Sequence, residues 1–262
     1  MAGTLALRRT RIATELAWRP EWPVAVLVVL AWAVLLLDPF AGATGVTGHV
    51  HGHGVPAAEP SHGAAGGLPG WILMSVAMMV PATIPAVRHV AVNSLPRRRL
   101  RAMGLYIAGY VGVWAAFGVV VLVLLGSVRA TGVVPQPVLL VGALVAAAAW
   151  QWTPHKRRAL FACRRTVPLP PLGRRADVAC LRYALQQGWR CLVSCWALMV
   201  VMAVVGHASL AWMVVLAALI VAEELPLVGW RVARTASPAL AAIAIVVAVS
   251  NALQALSPGG GA

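Results

Sequence analysis

Residues 103–125 read MGLYIAGYVGVWAAFGVVVLVLL, a run of 23 positions without a single charged side chain. At 1.5 Å per residue, a helix of that length reaches about 35 Å, enough to cross a hydrocarbon layer about 30 Å thick. A strand buried in a soluble core is far shorter, so this run predicts a membrane-crossing helix. Working outward, comparable apolar runs lie at 23–41, 71–92, 136–153, 189–206, 209–228 and 237–256. The expected fold is all-α: a polytopic transmembrane helical bundle of about seven helices.

Composition points the same way. Of 262 residues, 61% are hydrophobic and 11% charged, with a mean hydropathy of +0.84, far from an ordinary soluble domain. The net charge of +14 does not read as a nucleic-acid surface, because the basic residues lie between apolar runs instead of along one amphipathic face. They follow the positive-inside rule when the N-terminus is cytoplasmic. Arg8, Arg9, Arg11 and Arg19, then Arg97 to Arg101, the segment from Lys156 to Arg190, and Arg231 with Arg234 all fall inside, leaving Arg129 outside. The expected location is the bacterial cytoplasmic (inner) membrane, multi-pass, with the lipid bilayer as the first partner and no nucleic acid.

The chain divides into a basic cytoplasmic N-terminus (1–22), a first span (23–41) and an external loop rich in His and Gly (42–70). A core bundle (71–228) and a last span with a short external tail (229–262) follow. Within the core, 154–188 reads as a basic cytoplasmic loop, broken by Pro168, Pro170 and Pro171 before a surface helix near 175–187. Trp18, Trp22, Trp71, Trp150, Trp152, Trp189 and Trp230 sit near span ends, where indoles anchor at headgroup level. Arg8 and Arg9 ahead of the first apolar run also resemble a signal sequence; an uncleaved span is the expectation.

Chemistry concentrates on three spans. On the second, Met74 and Met78 share a helical face with Pro81, Pro85 and His89; on the fifth, Cys191, Cys195, Met199 and Met202 form a ladder of sulfur; on the sixth, Met213 and Glu224 share a face, with Glu223 adjacent. Soft sulfur ligands select Cu(I), and zinc is the alternative ion. Charged groups within a membrane are costly and by default functional, which singles out Glu223 and Glu224, with pairing to Arg88 as the plainer reading. His49, His51 and His53 alternate in the external loop and are expected to capture metal, while His207 follows the fifth span as a relay. Cys163 and Cys180, in the cytoplasmic loop, read either as acceptor ligands or as inert thiols, with inert the expectation, and the four cysteines form no disulfide framework. Each sulfur has a rival reading as packing alone.

These residues also resemble a family. Trp71-x2-Met74 with Ala77-Met78-Met79-x-Pro81, Gly109-Tyr110-x3-Trp114, Gln151-x2-Pro154-x-Lys156 with Cys163-Arg164, and Gly188-x2-Cys191-x3-Cys195-Trp196-x-Leu198-Met199 are similar to domain-of-unknown-function family 2182, described as predicted metal-binding integral membrane proteins. The resemblance covers about 71–226 and implies a helical membrane bundle with a metal site on those Met and Cys positions. The chain departs from the family pattern at Ser194-Cys195, where the family often has adjacent cysteines. It departs again at Gly206-His207-Ala208 and at Glu223-Glu224, leaving His207 as the stand-in for a thioether.

No Ser/His/Asp arrangement, phosphate-binding glycine loop or dinucleotide fingerprint has its required context, so no catalytic residue is expected. The leading expectation is an integral membrane metal-binding protein for Cu(I), acting in transfer, transport or copper-enzyme assembly with a metal-donor or metal-acceptor protein. The rivals are a membrane scaffold subunit without bound metal and a metal-dependent membrane oxidoreductase.

Overall fold

The computed structural model describes residues 20–37, 67–170, 172–206, 210–225 and 229–256. Among the described residues eight α-helices follow one another: α1 (Trp22–Leu37), α2 (Gly67–Val92), α3 (Arg99–Ala130), α4 (Gln136–Gln151), α5 (Pro154–Cys163), α6 (Gly173–Val205), α7 (Leu210–Glu224) and α8 (Gly229–Leu256). One 3-10 turn, Pro96–Arg98, precedes α3, and the described residues contain no strand. Four helices are long and apolar enough to cross a membrane: α2, α3 with its preceding turn, α6 and α8. The α4–α5 pair would make a fifth span if taken together, although it bends by 71°.

The seven apolar runs fall on seven of these helices, and the eighth, α5, lies within the basic segment. That segment is more ordered than its charge suggests. Residues 154–163 form α5, and the helix expected near 175–187 is continuous with the run at 189–206, giving one α6 of 33 residues. The reason is visible in its partners. Arg98 of the 3-10 turn and Arg101 of α3 both pair with Asp177, and Cys180 donates to the Ala102 carbonyl, so the first turns of α6 dock on α3 before the apolar part begins.

Helix α3 then runs parallel to α6, with Tyr110 beside Cys191 and Arg129 reaching Val204. Helix α2 runs antiparallel to α3, and α4 antiparallel to α6, placing Gln136 at Val204 and Trp150 at Val193. Arg129 and Gln136 both donate to the Val204 carbonyl, one of the acceptors left open where α6 ends. Gly206 terminates α6 with φ +88°, a backbone angle that favours glycine.

Two close contacts lock α2 in place. Pro81 has no N–H to offer the Ala77 carbonyl four residues earlier, and that acceptor is taken up by the Trp32 indole of α1 at 3.0 Å. Trp71 was expected at headgroup level but is fully buried; its indole N–H donates to the Trp114 carbonyl at 2.8 Å and its ring lies over Gly118. A Cβ at Gly118 would sit 2.2 Å from that ring, so only glycine leaves room. Trp22, Trp152 and Trp189 are exposed, as the anchor reading expects.

Candidate metal centre

Cys191 and Cys195 lie one helical turn apart on α6 and so face the same way. Glu224, the last residue of α7, meets them there. The two thiol sulfurs and a carboxylate oxygen all lie within 4.8 Å of one another, with both cysteines buried and Glu224 partly so. All four cysteines are free thiols.

The surroundings hold these groups in register. The Tyr110 hydroxyl lies 3.0 Å from Cys191 Sγ and 3.2 Å from the Met79 carbonyl, tying the site to α3 and to α2. Having one proton, it donates to one of these acceptors at a time. The Ser194 hydroxyl donates to the Cys191 carbonyl at 2.8 Å and sits 3.3 Å from Cys195 Sγ. Cys163, at the end of α5, places its buried thiol beside Ser194, Cys195 and Glu224.

Beneath the thiols lies a buried ion pair. Lys156 Nζ donates to Glu223 Oε2 at 2.6 Å, Gln151 Nε2 donates to Oε1 at 2.8 Å, and neither charged side chain exceeds 1% exposure. Local sequence explains how a lysine from a basic segment arrives there. Pro154 opens α5 at a position where no N–H is needed, and the Thr153 hydroxyl caps the helix by accepting from the Lys156 amide. The 71° bend at this point turns α5 across the bundle and points Lys156 inward. Gln187 and Arg190 of α6 then hold the far end of α5 through the carbonyls of Cys163 and Ala162. Arg164 donates to the Leu225 carbonyl at 2.6 Å, and Gly229 approaches so closely that a Cβ would lie 1.8 Å from the Glu223 carbonyl oxygen. The end of α7, which carries both glutamates, is thus fixed from two sides.

The two glutamates have different surroundings. Glu223 is the partner of Lys156, not of Arg88, which is exposed on α2, whereas Glu224 faces the thiols. Met74, Met78, Met199, Met202 and Met213 are all buried at 0–1% exposure in one continuous core with Cys191 and Cys195, and none faces outward. His89 Nε2 donates to the Val167 carbonyl at 3.0 Å and its ring meets Tyr183 edge-on, so it is not one of the three clustered ligands. His49, His51, His53 and His207 lie outside the described residues.

Lys156, Gln151 and Tyr110 entered the sequence reading only as motif positions, without a role at the site, and Cys163 was expected to be inert, although its thiol lies beside the cluster. A signal for the first existed: a carboxylate in an apolar helix needs a cation, and a lysine two residues after a helix-starting proline is placed on the first turn of a new helix.

Two thiols and a carboxylate, buried and mutually close, in a core rich in thioethers, form a set that could hold a soft metal ion. The fold and the site therefore define an all-helical, apolar protein with a candidate metal centre inside its bundle. A family model described as PpoB2, copper chaperone, matches residues 68–247, and the chain belongs to that family. The match runs from α2 into α8, contains every residue of the cluster, and begins after α1 and the loop histidines. No curated protein and no solved structure matches the chain.

Proposed function

We propose that the protein is a membrane-embedded Cu(I) carrier that receives the ion at one face and delivers it to a partner copper protein. The observation that carries this reading is the approach of Cys191, Cys195 and Glu224 to within 4.8 Å inside an apolar bundle. Membership in a copper chaperone family and the apolarity of α2, α3, α6 and α8 support it. Copper is cargo here, not a resident cofactor, and no chemical conversion is assigned to the chain.

The roles follow the chemistry of each donor. His49, His51, His53 and His207 capture the ion outside; Met74, Met78, Met199, Met202 and Met213 offer thioethers along the path; Cys191 and Cys195 hold Cu(I) more firmly. Thiols bind as thiolates and release protons on loading. In this reading the N-terminus lies in the cytoplasm of a bacterium and the bilayer is the inner membrane, as the distribution of basic residues between the apolar runs supports.

Loading the purified chain anaerobically with Cu(I) tests the reading. The wild type is expected to bind copper at least about tenfold more tightly than a Met199→Leu, Cys195→Ser double variant, a difference of about 1.4 kcal/mol. Equal binding would leave a scaffold role for the sulfurs. Glu224→Gln separates the ions: it leaves Cu(I) affinity nearly unchanged, whereas loss of binding with that variant, together with preference for Zn, assigns the site to zinc.

A further inference from the structure

Helices α4 and α8 enclose an apolar groove of about 440 Å³ on the outside of the bundle, distant in kind from the sulfur cluster because it carries no metal ligand. Val141, Val145 and Trp152 form one wall, and Ala241, Ile245 and Ala248 the other. From 141 to 152 the groove runs about 16 Å along α4. Within it the two helices are joined by a hydrogen bond, Ser237 donating to the Ala148 carbonyl at 2.8 Å.

One end of the groove is strongly polarised. Trp152, more than half exposed, stands at its mouth, and Arg234 places its guanidinium 5.2 Å from the Trp152 ring and 5.3 Å from that of Trp230. Arg157 stacks on the same Trp230 ring at 5.3 Å. Two exposed cations therefore share one indole, and among the described residues neither has a carboxylate partner. Cation–π attraction to an indole restrains a guanidinium without using its N–H donors as a carboxylate would, and those donors can grip a phosphate with two parallel hydrogen bonds. Indoles beside such a pair also suit the headgroup level of a bilayer.

We infer that this groove binds one anionic glycerophospholipid, its phosphate held between Arg157 and Arg234 and one acyl chain lying between α4 and α8. The charge matches the phosphate, and the apolar channel beyond Trp152 matches the tail. This site rests on the bilayer placement of the helices and not on copper binding, so each can fail without the other.

Titration of the delipidated full chain in detergent, read by native mass spectrometry, provides the test. Phosphatidylglycerol is expected to bind about tenfold or more tightly than phosphatidylcholine, and an Arg157→Gln, Arg234→Gln double variant to lose that preference. A charge-matched Arg158→Gln, Arg231→Gln double variant keeps it. Ala248→Trp, which fills the far end of the groove while leaving both arginines, weakens phosphatidylglycerol binding. An unchanged thermal unfolding temperature in all three variants shows that the bundle is intact. Equal binding of the two lipids overturns the site. So does equal loss in the charge-matched pair, or displacement of the lipid by inorganic phosphate at the same concentration.

Discussion

Helices α2 and α6 bury 61% and 67% of their most apolar windows, while α3 and α8 bury 17% and 22%. Yet α3 is the most apolar of the four. Apolarity therefore marks which helices expose the most apolar surface, and does not mark which ones form the centre. The centre is built from the less uniform sequences, those carrying sulfur, proline and buried polar groups such as Ser75, Thr83, Gln187 and Ser194. A lipid tail is as apolar as leucine, so a helix gains a fixed neighbour there through packing and hydrogen bonds instead.

The largest effect that can sharpen this contrast is expected at the ion pair. Lys156→Met leaves Glu223 buried without its cation and should lower stability by about 3–5 kcal/mol, seen as a collapse of thermal unfolding temperature in detergent. Combining it with Glu223→Met should recover much of the loss. If the single variant melts like the wild type, the pair is not part of what holds the centre.

Next comes the same substitution at two places on α3. Gly118→Ala drives a methyl into the Trp71 ring and should cost about 1–3 kcal/mol, whereas Gly126→Ala meets open space and should be neutral or stabilising by up to about 1 kcal/mol. Equal effects would erase the distinction between the inner and outer faces of that helix. Trp32→Phe removes the donor to the Ala77 carbonyl beside Pro81 and should cost about 1 kcal/mol, with faster amide exchange near that turn. The smallest effect is expected at exposed Leu124, where Leu124→Val should stay within about 0.5 kcal/mol.

Much of the architecture was legible in the chain. The apolar runs locate α1, α2, α3, α4, α6, α7 and α8, and the helical spacing of Met74 with Met78, and of Cys191 with Cys195, Met199 and Met202, correctly indicates inward faces. What stayed hidden depends on contacts between distant residues. Trp71 looks like an interfacial anchor until Gly118, 47 positions later, supplies its seat. Lys156 looks like one more positive charge of a surface loop until the bend before α5 and the end of α7 bring it to Glu223. Likewise, the basic run 173–188 reads as separate from the apolar run after it, because charge pattern reports solvent and not helix continuity. Asp177, with its two arginine partners, is what joins them.

The lysine–glutamate pair also sets a timetable for biogenesis. Its partners are 67 residues apart, so Lys156 is synthesised roughly 3–13 s before its counter-charge. During that interval a bare ammonium has every reason to stay in water, which holds α5 at the surface. Glu224 can therefore join the two α6 thiols only after α7 has been synthesised, which makes the three-residue cluster one of the later parts of the bundle to assemble.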